Sequence, residues 1–193
     1  MKRISPLAAI AAVVLLAVPA LGAAGEAGGD GGAGPPSKDE PGPDGWFDAR
    51  SSYGAFSVRL PGRFVDSHRT GAQQGGEAVD VDSVQTIVQV SFGAVQTWQA
   101  VCVVHLERPP TAEAAFAEAT NEHETNGFLR WRKRSSIDGH PALDFAVSDG
   151  KRALRSRIIV IGKRVCTAEV NYPVFDPVSD ADSEKFLASF KPR

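Results

Sequence analysis

Four runs in the C-terminal half alternate apolar and polar residues, and the connections between them are only long enough to reverse direction. FLRWRKRSSI sets Leu129 and Trp131 opposite Arg130, Arg132 and Arg134, and Asp138-Gly139 turns it into PALDFAVS. Asp149-Gly150 turns that run into RALRSRIIVI. Gly162-Lys163, with glycine first as a type II′ turn requires, then returns the chain as RVCTAEVNY. Period-two alternation with links this short predicts an antiparallel meander.

The preceding segments add strands and a helix. AFSVRLP puts Phe56, Val58 and Leu60 on one face of a strand that Pro61-Gly62 ends. Residues 63–66 continue extended, and the polar HRTGAQQGGE stretch reads as a loop. VDSVQTIVQVSF and TWQAVCVVHLE are two further strands rich in β-branched residues. In the second, Trp98, Ala100, Cys102, Val104 and Leu106 share a face. Pro109-Pro110 stops it, Thr111 is placed to cap a helix, and Ala112, Ala115, Phe116 and Ala119 mark that helix's apolar side. Asn126-Gly127 ends it. Ser179 opens a second helix, with Ser183, Phe186, Leu187 and Phe190 on one face. The order predicts an α+β fold, an antiparallel β-sheet flanked by helices.

Four segments, FSVRLPGRF, GHPALDF, GKRVCTAEVNYP and EKFLASFK, resemble the PsbP-like family. The likeness spans residues 56–191. It implies an α/β/α sandwich, shared by a photosystem II extrinsic subunit and many secreted bacterial proteins of unknown role. The matching motifs are structural, so the resemblance implies a scaffold without an active site.

The N-terminal segment sets the expected destination. Lys2 and Arg3 precede an uncharged apolar run over residues 7–18, and Gly22, Ala23 and Ala24 offer a cleavage site. Residues 1–24 therefore read as a secretory signal peptide, too short in its apolar part for a retained span. Residues 25–45 hold no apolar residue larger than alanine and carry five carboxylates against Lys38, which predicts a disordered Gly/Pro/acidic tether. Residues 46–193 remain as a single domain. The expected protein is exported, periplasmic or secreted, with no stable membrane span after cleavage.

In an oxidising compartment two cysteines usually pair, so Cys102 and Cys166 are expected to form a disulfide. The alternative is two buried thiols behaving as small hydrophobes. No C-x-x-C is present for redox work.

The histidines are too scattered for a metal site. His105 and Glu107 offer two ligands without a third, and Gly127 stands where His123-Glu124 would need a second histidine. His68 falls in the polar loop and His140 in a turn. Asp80 and Asp82 alternate along a strand as solvated edge residues would. Neither a metal nor a cofactor is expected.

No nucleophile elbow or phosphate-binding glycine turn occurs, which favours a non-catalytic binding or accessory module. The alternative is a cell-envelope enzyme whose site the sequence does not display.

A formal net charge of −2 excludes a dedicated nucleic-acid binder. The charge is segregated, however. Residues 107–124 carry five carboxylates against Arg108, while residues 128–164 carry ten basic residues against Asp138, Asp144 and Asp149. Arg130, Arg132, Arg134, Arg155 and Arg157 are the candidate binding residues, forming a basic sheet face for an acidic protein or an anionic envelope component. The competing account is a solvated face paired with the acidic helix.

Overall fold

The computed structural model describes residues 40–72 and 78–193. The expected signal peptide and residues 25–39 of the expected tether lie outside them. The chain order is β1 (Phe47–Arg50), β2 (Phe56–Leu60), β3 (Val65–Ala72), β4 (Ala78–Gln89), β5 (Val95–His105), α1 (Ala112–Thr125), β6 (Leu129–Ile137), β7 (His140–Ser148), β8 (Arg152–Ile161), β9 (Arg164–Pro173), α2 (Asp180–Ser189) and β10 (Lys191–Pro192).

Seven strands form one antiparallel sheet in the order β3-β4-β5-β9-β8-β7-β6, and β1, β2 and β10 form a second. The meander of β6 to β9 is present as the turn dipeptides predict. Asp138 and Gly139 both have positive φ, 51° and 82°, as a type I′ hairpin needs. Both helix caps are also as expected. Thr111 accepts a hydrogen bond from the Ala114 N–H, and Ser179 accepts one from the Asp182 N–H.

The helix-flanked α/β/α sandwich is not what forms. The described residues are mostly strand, with only two helices, and a second sheet supplies much of one covering layer. The reason lies in pairings that local pattern does not reveal. β2 finds β1 on one side, with Phe47 opposite Leu60, and the last residues as β10 on the other. Phe56, Val58 and Leu60 of β2 join Trp98, Ala100, Cys102, Cys166, Ala168, Val170, Phe186 and Phe190 in the principal core. Trp98 meets Trp46 and Phe186 edge-to-face at 5.7 and 5.4 Å.

On the opposite face of the large sheet, α1 buries Ala115 and Phe116 against Leu143, Phe145, Val147 and Ile158. α1 touches β6, β7 and β8. The outermost strands are β3 and β6, and β6 is exposed along nearly all its length.

The turn entering the fold is ordered from within the expected tether. Asp44 bonds Arg59 at 2.8 Å and Lys185 at 2.7 Å, which holds its carboxyl well below the usual carboxylate range. Among the described residues no helix is long and apolar enough to cross a membrane.

Candidate functional site

The register separates the five candidate arginines. Arg134 and Arg132 stand opposite Leu143 and Phe145, on the face that α1 covers. There Arg134 makes a bidentate pair with Glu113 at 2.6 and 2.7 Å, and Arg132 bonds Glu124 at 2.9 Å. Arg130 donates to the Ser148 carbonyl at 2.7 Å. Arg155 and Arg157 project from the other face. Arg155 pairs with Asp180 of α2. Arg157 grips both Asp144 oxygens at 2.7 and 2.9 Å and the Leu187 carbonyl at 2.9 Å. Arg132 and Arg134 thus do not share a face with Arg155 and Arg157, and carboxylates of α1 pair with those two of the four β6 cations.

Cys102 and Cys166 form a disulfide. They sit directly opposite one another on β5 and β9, both fully buried.

The same rows carry polar groups to an unexpected place. β3 takes in residues 68–72 of the stretch expected as a loop, the rest of which lies outside the described residues, and pairing with β4 sets His68 opposite Asp82 and Thr70 opposite Asp80. Continuing across the sheet, Asp82 faces Cys102, which faces Cys166. One row along, Asp80 faces Val104, which faces Arg164. Of these, His68, Asp80, Asp82, Val104 and Arg164 border a cleft of about 240 Å³ closed on one side by Tyr53, Gly54 and Ala55.

The turn between β1 and β2 shapes that wall. The Ser51 hydroxyl accepts from the Phe56 N–H, the Ser51 carbonyl accepts from the Gly54 N–H, and Gly54 takes a φ of 72° that a side chain would resist. Tyr53 is thereby laid over His68, ring centroids 3.6 Å apart. Ser52 donates to one oxygen of Asp66.

The electrostatics of the cleft are unusual. Asp82 is 4% exposed, and neither carboxylate oxygen makes a hydrogen bond of normal geometry. Burial pushes its pKa up, the Asp66 charge adds to this, and the Ser51 hydroxyl, Ala55 N–H and His68 oppose it. Asp66 Oδ1 and His68 Nδ1 are also buried without a partner. Asp80 accepts from Thr70 at 2.7 Å. A buried polar group in this condition is costly unless something else satisfies it.

A larger cleft of about 310 Å³ lies between Trp46, Trp98 and Val178. Its one ionisable group, Asp182, is bonded to the hydroxyl of Ser179, so it offers no comparable convergence. Among the described residues no three His, Cys, Asp or Glu side chains are grouped to hold a metal ion.

Sequence reasoning passed over this site because Asp80 and Asp82 alternate as edge residues do, and His68 appeared to lie in a loop. The available signal was a histidine followed within fourteen positions by two alternating aspartates.

One further acidic group is perturbed on the opposite face. Glu169 stands opposite Gln99 and Ser156, partly buried, and burial pushes its pKa from 4.5 up to about 7. The folded state therefore holds this proton more tightly than the unfolded chain between those values. Stability contributed by the protonated form is full below the lower value and lost as pH rises through the upper one. Glu169→Gln is expected to flatten that decline. At pH 8 it should raise the unfolding free energy by about 2 kcal/mol, after allowance for partial exposure. Urea denaturation of both proteins at pH 4.5 and 8 checks this.

No protein-family model matches the chain, and no curated protein matches it.

Proposed function

We propose that the chain is an exported, non-catalytic binding module whose recognition site is the Tyr53–His68–Asp82 cleft, and that its ligand carries a small amine. The observation that carries this reading is the Asp82 carboxylate, buried in the cleft wall with neither oxygen in a hydrogen bond of normal geometry. An ammonium group would supply the missing donors and a compensating charge at once. Arg164, which no ion pair engages among the described residues, would meet an anionic or hydroxyl group on the same ligand. The cleft has room for a small head-group rather than a cofactor-sized molecule. Export is supported by the signal-like N-terminus and by the disulfide.

Burial raises the Asp82 pKa, so the proton competes with an amine for this carboxylate and binding weakens as pH falls. The test is a 15N NMR titration of the protein with ethanolamine, using propanol as the uncharged control. Ethanolamine is expected to shift the amides of Gly54, His68 and Val104, propanol to leave them in place, and Asp82→Asn to abolish the response. Absence of shifts, or shifts unchanged in Asp82→Asn, would overturn the reading.

The same raised carboxyl beside His68 supports one other account, an envelope enzyme with Asp82 as general acid. Turnover of a chromogenic ester or glycoside panel that Asp82→Asn abolishes would favour it.

A further inference from the structure

Resting on the reading that the cleft binds an amine, we infer that its ligand is a small zwitterion. The ammonium end sits on the aspartates of β4, and the anionic end sits on Arg164 of β9.

The sheet sets opposite charges on either side of one strand. Asp80 faces Val104 of β5, and Val104 faces Arg164, so the three side chains share a row and a face. Two strand spacings, about 10 Å, separate the backbones of Asp80 and Arg164. All three line the cleft, as does Asp82 one row along. Among the described residues no ion pair joins Arg164 to either aspartate. Asp80 accepts instead from Thr70 at 2.7 Å.

The acidic side is deep and the basic side is single. Asp66 and His68 alternate along β3, on the face they share with Asp82. Asp66 Oδ1, His68 Nδ1 and both Asp82 oxygens are buried there without a hydrogen bond of normal geometry. Arg164 is the one lysine or arginine among the residues lining the cleft.

This arrangement sorts ligands by charge. A simple ammonium is drawn to Asp82 and repelled by the guanidinium across the row. A simple anion is drawn to Arg164 and repelled by the aspartates. A molecule carrying both charges meets an opposite one at each end, and it brings no net charge into a half-enclosed space where charge is costly. Val104, half-buried between the two charges, is the apolar floor for a short methylene linker. At about 240 Å³ the cleft falls below the roughly 300 Å³ at which pockets begin to enclose drug-sized molecules, so the linker is short. The anion is a carboxylate or a phosphate monoester, either of which a guanidinium grips with two N–H groups.

The test is a 15N NMR titration of the full chain with β-alanine and O-phosphoethanolamine, beside ethanolamine for the amine alone and propionate for the anion alone. Both zwitterions are expected to bind about tenfold more tightly than ethanolamine, the worth of one charge-assisted contact. Arg164→Gln should bring them down to the affinity of ethanolamine and leave ethanolamine itself no weaker. Arg164→Lys should restore part of the gain. Unchanged thermal unfolding of both variants would show that the fold is intact, and the tighter of the two zwitterions identifies the anion. Zwitterions that merely match ethanolamine, or an advantage that survives Arg164→Gln, would overturn this inference and leave the amine reading in place. No binding by any of the three amines would overturn both.

Discussion

Replacing Cys102 and Cys166 together by alanine is expected to lower the unfolding free energy by about 4 kcal/mol. The bond joins positions 64 apart, and cross-linking a loop of that size removes about this much chain entropy from the unfolded ensemble. For a domain of this size the midpoint should fall by roughly 10 °C or more. The bond joins β5 and β9, neighbours near the middle of the seven-stranded sheet, and no sulfur is exposed. Mild reductant should therefore act only as fast as the sheet opens. Thermal unfolding followed by circular dichroism, with and without reductant, measures both effects. A double variant within 1 kcal/mol of the parent would show that the bond contributes little.

Asp144→Ala is expected to cost about 3–5 kcal/mol, the penalty for leaving a buried guanidinium without its counter-charge. Arg157 and Asp144 are 15% and 17% exposed, and the pairing raises the Arg157 pKa further, so Arg157 stays charged. Its third bond, to the Leu187 carbonyl, also fastens the end of α2 to the sheet. Removing both charges with Asp144→Leu and Arg157→Met should cost less than Asp144→Ala alone, because no unpaired ion remains. Urea denaturation of the three proteins decides the matter, and a double variant worse than the single one would contradict it.

What the sequence exposes and what it conceals divide along a physical line. Turns and caps are local, and Asp138-Gly139, Thr111 and Ser179 do what their side chains dictate. β3 escaped notice because the face it turns to the cleft carries Asp66, His68 and Thr70 where an ordinary strand would place apolar residues. The residues that make the candidate site thus erase the periodicity that would announce its strand. The arginines show the other difficulty. Alternation within β6 and within β8 was readable, but which faces coincide depends on pairing, and β6 carries a register shift between Leu129 and Trp131. The disulfide was legible from compartment chemistry alone, whereas the second sheet needed β1, β2 and β10 to meet across most of the chain.

β6 closes one rim of the large sheet, so one side of its backbone offers N–H and C=O groups to any passing strand. Such a rim is a template for adding a second copy of the same chain. This strand carries Arg130, Arg132, Lys133 and Arg134 in near succession. Arg132 and Arg134 are already paired with α1, but two molecules laid rim to rim would bring the strands carrying Arg130 and Lys133 within roughly 5 Å of each other, the spacing of paired strands. Repulsion at that range opposes stacking into fibrils. Arg130 and Lys133 of β6 thereby disfavour rim-to-rim addition of a second copy.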